Sequence, residues 1–149
     1  MLALLGLLPA ASGSAGDVAV IVHPSNPEAD IRSSDLVEIF RMEQRYWKAG
    51  ERIYLVLQES GTAEKDLVLK RIYGMKDAEM KRYWLGKLFR GEIAAFPRVA
   101  HSNADARRIV GQAPNAIGFV DVAGVDSSVK VMRIDGKKPG DAGYLLAPP

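Results

Sequence analysis

Two kinds of hydrophobic pattern alternate along the chain. Val18–Val22 is a continuous apolar run dominated by β-branched residues and reads as a strand buried on both faces, and residues 53–57 give a second strand. Between them, Leu36, Ile39 and Phe40 share one face of Ser33–Phe40, a short amphipathic helix with Ser34 as candidate cap. After the break at Ser60 and Gly61, residues 62–73 keep helical spacing through Val68, Leu69, Ile72 and Tyr73, and Gly74 suits a helix C-terminus. Asp77–Phe89 places Met80, Tyr83, Trp84 and Leu88 on one face of another helix. Gly91 and Pro97 bracket a loop, Arg98–Ala100 is a short strand, and Ser102 or Asn103 caps a helix carrying Ala106, Ile109 and Val110. Pro114 and Asn115 end that helix, residues 116–120 and 129–134 are the last strands, and Tyr144, Leu145 and Leu146 close the apolar pattern. Strands alternating with helices predict an α/β domain with a mostly parallel sheet.

The N-terminus departs from this pattern. No charge precedes Asp17, Leu2 to Leu8 is apolar apart from Gly6, and small residues follow Pro9, which is the pattern of a secretory signal. Gly13 and Ala15 suit cleavage before Gly16, with Ser12 as a second site, although no Lys or Arg follows Met1. The run is too short to span a bilayer, which takes about 20 apolar residues. The expected organisation is a signal peptide over 1–15 and one domain over 16–149, in the periplasm or secreted, with no stable membrane span.

Composition narrows the class further. With 149 residues, 48% hydrophobic and 26% charged, the chain has room for one ordinary domain with a real core, which excludes disordered, collagen-like and disulfide-scaffold classes. Twenty Lys plus Arg against 18 Asp plus Glu leave a slight excess of +2 with the signs interspersed, so charge balance does not argue for nucleic acid. The basic stretch through Lys65, Lys70, Arg71, Lys76, Lys81, Arg82, Lys87 and Arg90 reads as the solvated side of two amphipathic helices, with Tyr73, Tyr83 and Trp84 in the core rather than stacking bases.

Candidate chemistry concentrates in the loops expected beyond the carboxyl ends of strands: His23 to Asn26, Gln58 to Thr62, His101 to Asn103, and Asp121. Ser60, Gly61 and Thr62 stand between a strand and a helix. There, free backbone N–H groups and the positive helix terminus favour an anion, two hydroxyls add donors, and Gly61 admits close approach. An ordinary helix cap has the same residues, and Glu59 beside them repels an anion unless it turns away. His23 and His101 are not in a metal-binding spacing and read as loop residues. Asp121 and Asp126 read as turn or cap residues. There is no Walker loop, nucleophile elbow or cysteine, so no enzyme, cofactor or metal is expected.

The order of motifs resembles a known family. Leu36, Ile39 and Phe40, then Trp47, Gly50 and Ile53, are similar to a helix ending in Ile-Phe and a loop with Trp and Gly before a strand in the phosphate-binding proteins of ABC transporters. Ser60, Gly61 and Thr62 stand where that family has its phosphate-binding Ser-Gly-Thr. Tyr83, Trp84, Phe89, Gly91 and Pro97 follow, and Pro114, Asn115, Ala116, Ile117, Gly118, Phe119 and Val120 resemble its Pro-Gly-Ala-Ile-Gly-Tyr-Val strand. The chain thus resembles a short, single-lobe relative of these proteins over residues 17–145. The resemblance implies one lobe of a type 2 periplasmic-binding-protein fold, with about five mostly parallel strands flanked by helices. It implies anion recognition by Ser60, Gly61 and Thr62, with Ser102 added as a donor at the next helix, and phosphate or a similar oxyanion as partner. An ABC permease or another envelope protein would be a further partner. Two departures stand out: the family's Arg, Asp and Gly before the motif are Val56, Gln58 and Glu59 here, and the full receptors close two lobes. The rival reading is an envelope interaction module that keeps the fold and has lost the ligand, and an Arg82, Arg90 or Arg98 folded onto the loop would favour the anion reading instead.

Overall fold

The computed structural model describes residues 16–149, so the segment read as an export signal lies outside the described residues. Its strands are β1 (Val18–Val22), β2 (Asp30–Ile31), β3 (Tyr54–Gln58), β4 (Arg98–Ala100), β5 (Ala116–Asp121), β6 (Lys130–Val131) and β7 (Arg133–Ile134). Its helices are α1 (Ser33–Phe40), α2 (Ala63–Val68), which continues as a π-helical turn over Leu69–Tyr73, α3 (Asp77–Phe89) and α4 (Asn103–Gln112). Five strands form the central sheet in the order β4-β3-β5-β1-β6, and β2 pairs β7 apart from it.

The apolar runs lie where buried strands must. Val18, Val20 and Val22 enter one core with α1, α2, the π-turn and α3, while Ala19 and Ile21 enter a second core with α4. Period-two alternation thus divides one continuous hydrophobic run between two helical layers. Gly118 of β5 makes the α4 contact possible, because a Cβ there would stand 3.1 Å from Val110 Cγ2 and 3.4 Å from the Val56 carbonyl. Tyr73 and Trp84 are core residues as their spacing predicts, and Tyr73 donates from its hydroxyl to the Phe40 carbonyl at 2.5 Å.

The sheet is mostly parallel with one reversal. β3, β4 and β5 run together, β6 points the same way, and β1 runs against its neighbours, pairing Val18 with Asp121 and Val22 with Ile117. One expectation changes as a result: the loop His23 to Asn26 leaves at the amino end of β5, and Gly16 and Asp17 occupy the carboxyl edge instead. A buried apolar run carries no information about strand direction.

Two further expectations are corrected. Residues 129–134 form two short strands that pair in different sheets, β6 with β1 and β7 with β2, around the fully buried Met132. Ser34 does not cap α1. The N-cap is Arg32 without a side-chain cap bond, and the Ser33 N–H is met by Asp135 Oδ1 at 2.9 Å, from a residue 102 positions away. Among the described residues no helix is long and apolar enough to cross a membrane.

Candidate functional site

Parallel pairing of β3 with β4 opposes Gln58 to Ala100, and the Glu59 N–H donates to the Ala100 carbonyl at 3.1 Å. The loop 59–62 therefore lies beside His101 and Ser102, and Ser60, Gly61, Thr62 and Ser102 share one edge of the sheet. Buried Gln58 ties this edge together, its amide donating to Asn103 Oδ1 at 2.9 Å and to the Phe119 carbonyl at 2.8 Å. Asn103 Oδ1 also accepts from the Asp121 N–H at 3.1 Å, and its amide donates to Glu64 at 3.2 Å. Asp121 serves as a turn acceptor, as expected, for Ala123 at 2.8 Å, and Asp126 does the same for Ser128 at 2.9 Å.

The hydroxyls have partners of their own. Thr62 Oγ1 accepts from the Lys65 N–H at 3.1 Å and so caps α2, and Ser102 Oγ accepts from the Asp105 N–H at 3.0 Å and caps α4. Ser60 Oγ donates to Asp77 Oδ1 at 2.5 Å, and this bond, with Lys81 next in weight, holds the Asp77 carboxyl below its ordinary pKa. Glu59 turns to His101, whose Nδ1 donates to Oε1 at 2.5 Å. His23 accepts from Ser25 in its own loop, at the other end of the sheet. The backbone N–H groups of Ser60 and Gly61 meet no acceptor among the described residues. Gly61 is left-handed with φ of 94°, and the space where a Cβ would stand is open.

A lysine that the sequence reading assigned to solvent is buried beside this loop. Lys65 is buried, with 6% of its surface exposed, and its ammonium donates to the Gln58 carbonyl at 3.0 Å. No carboxylate of the described residues lies within 4 Å of it, and residues 1–15 contain none. Burial lowers its pKa and Lys81 adds to that, while Asp77 and Asp66 offset part of the effect. Lys87, also read as solvated, is buried too. Arg90 pairs with Glu92 at 2.8 Å, and no hydrogen bond or ion pair of the described residues joins Arg82, Arg90 or Arg98 to the loop. Val56, in the family's Arg position, points into the α4 core. Signals for both lysines were present: Lys65 precedes Val68, Leu69 and Ile72 by three, four and seven positions, and Lys87 follows Met80 and Trp84 by seven and three, which is core-facing spacing.

Beside the loop, a cleft of about 410 Å³ opens between α3 and the segment entering β4, with Lys65 and Ser60 at one end and Met80, Trp84, Leu85, Phe96, Pro97 and Val99 along its walls.

No family model and no curated protein matches the chain. Among solved structures, it is similar to a protein assigned as a phosphate ABC transporter substrate-binding protein, with bound phosphate, from Clostridium perfringens, at 23% identity and a TM-score of 0.68 over 83% of this chain and 47% of that one. An ABC-type phosphate transport receptor from Vibrio cholerae is similar at 18% identity and a TM-score of 0.67, over 83% of this chain and 48% of that one. PstS from Borrelia burgdorferi follows at 15% identity and a TM-score of 0.64, over 83% of this chain and 49% of that one. The chain spans about half the length of each, and its fold is that of one lobe of these substrate-binding proteins.

Proposed function

We propose that the chain is an exported, single-lobe binding protein for phosphate or a similar oxyanion, serving ABC-type transport at the cell envelope. One observation carries this reading: the N–H groups of Ser60 and Gly61 have no acceptor among the described residues and stand at the sheet edge that also holds the buried ammonium of Lys65, which no carboxylate of the described residues contacts. Donors without acceptors, beside a cation that no carboxylate contacts, favour an anion. The similarity to a phosphate-bound protein supports the choice of ligand. Ser60, Gly61, Thr62 and Ser102 are the binding residues, residues 1–15 direct export, and a permease or a second envelope protein covers the half-cleft. The role is binding, not turnover.

Calorimetric titration of the purified chain with inorganic phosphate tests it. Heat of binding is expected at millimolar phosphate, weakened in Thr62→Ala; no heat from the native protein overturns the reading.

A second reading has its own support. Glu59, Glu64 and Asp77 surround the loop, Ser60 already donates to Asp77, and Val56 removes the bidentate cation. These features favour an envelope interaction module without a ligand. It predicts a specific partner on co-purification from an envelope extract, and recovery of none counts against it.

A further inference from the structure

The cleft beside the loop has two unmet demands of different chemistry. At one end stands Lys65, a buried cation whose one acceptor among the described residues is the Gln58 carbonyl at 3.0 Å. Taking an ammonium out of water is unfavourable unless an anion or a set of acceptors replaces the solvent. Two carboxylates line the same cleft, each paired elsewhere, Asp77 with Lys81 at 3.0 Å and Glu59 with His101 at 2.5 Å, and Asp77 favours the Lys65 charge only from beyond contact distance. Along the walls the demand is apolar. Leu85, Phe96 and Val99 are 43%, 50% and 44% exposed, large side chains gathered on one concavity instead of scattered singly. Trp84 forms part of the same wall, and its buried indole N–H has no partner among the described residues.

An inorganic anion answers only the first demand and leaves the apolar walls in water. A neutral hydrocarbon answers only the second. A cleft of about 410 Å³ is large enough for a small organic molecule. From this pairing of a lone buried cation with an apolar trough, we infer that the site takes a phosphate monoester with an apolar substituent about the size of a phenyl ring. Its anionic group sits against the Lys65 ammonium and the N–H of Ser60, which has no acceptor among the described residues. Its ring lies between Trp84 and Leu85 on one side and Phe96, Pro97 and Val99 on the other. This deepens the proposed function and rests on it, since the anionic group occupies the same loop.

The experiment compares inorganic phosphate, phenyl phosphate and phenol on the purified chain, by calorimetry and by tryptophan fluorescence, with Trp47→Phe leaving Trp84 as the single reporter. Phenyl phosphate is expected to bind at least about tenfold more tightly than phosphate, and phenol very weakly. Leu85→Ser, at an exposed position, should remove the phenyl gain and leave phosphate affinity unchanged. Lys65→Met should lose both ligands while keeping a cooperative thermal transition. Equal affinity for phosphate and phenyl phosphate overturns the inference and leaves the oxyanion reading standing. Absence of binding by either overturns both. Retained binding in a folded Lys65→Met, or an unchanged phenyl gain in Leu85→Ser, overturns the assignment of the cleft.

Discussion

Lys65 and Lys87 are each 6% exposed, on neighbouring helices, yet their surroundings are opposite. At the end of α3, the Lys87 ammonium is 3.4 Å from Glu92 Oε2 and 5.2 Å from the centre of the Tyr83 ring. Arg90 also holds Glu92, at 2.8 Å, so this corner satisfies its own charges. At the start of α2, Lys65 has one carbonyl and an open cleft. Burial of a charge is therefore not the informative fact; what matters is whether the protein itself supplies the compensation. Lys87 has a carboxylate in contact, whereas Lys65 has none among the described residues and is helped only at longer range by Asp77 and Asp66.

The largest expected effect removes what the two corners share. Trp84 packs edge-on against Tyr83 at 5.0 Å and Tyr73 at 6.3 Å, and it also walls the cleft. Trp84→Ala should lower the unfolding free energy by roughly 3–5 kcal/mol in denaturant titration. A loss below about 1 kcal/mol would mean that the stack does not join the corners.

The next effect separates the lysines. Lys65→Met replaces a buried, unpaired charge with an apolar side chain of similar length and should raise stability by on the order of 1 kcal/mol. Lys87→Met gives up a partly exposed pair and a ring contact and should lower it by a similar or smaller amount. The sign also depends on pH. Because burial lowers the Lys65 pKa from its ordinary 10.5, the unfolded chain holds the proton more tightly, and the charged form is unfavourable to folding at neutral pH. Stability therefore rises through the window from the lowered pKa to about 10.5, and the advantage of Lys65→Met over the native protein should shrink across it. Asp77 and Asp66 favour the charged ammonium and Lys81 opposes it, which narrows the window without reversing it. Thermal denaturation of both proteins between neutral pH and pH 10.5 checks this, and a constant difference would show that Lys65 keeps its ordinary titration.

The smallest effect on folding concerns Asp77. Asp77→Asn should change stability by a few tenths of a kcal/mol, since Ser60 and Lys81 meet it at the surface. It should nevertheless raise phosphate affinity several-fold, because a like charge beside Ser60 is gone. Unchanged affinity in calorimetry would place the anion away from Ser60.

Much of the fold was legible because the relevant physics is local or periodic. Contiguous apolar residues mark β1, β3 and β5 as buried strands, and on α3 Trp84 is core as its helical spacing implies, with Tyr83 only partly buried against it and Phe89 exposed. Thr62 and Ser102 are the helix caps their positions imply. The candidate site was legible in part: the sequence places Ser60, Gly61, Thr62 and Ser102 at strand ends, and the parallel β3–β4 pairing brings them to one edge. Lys65 was missed because charge was given more weight than spacing, although its offset from Val68, Leu69 and Ile72 marks the buried stripe. The His23 loop was misplaced because direction is a property of strand pairing, and α1 is capped from Asp135, beyond the reach of any local motif.

The sequence by itself determined the α/β class, the strands that must be buried, the two capped helices at the loop and the absence of an arginine at position 56. Those follow from side-chain periodicity and short-range hydrogen bonding, which act over a few residues. Only the tertiary structure decided that β1 runs backwards, that residues 129–134 divide between two sheets, and that a buried lysine faces an apolar cleft with no carboxylate in contact. Strand direction, pairing partner and the compensation of a charge are relations between residues far apart in sequence, and they are settled only when the sheet brings those residues together.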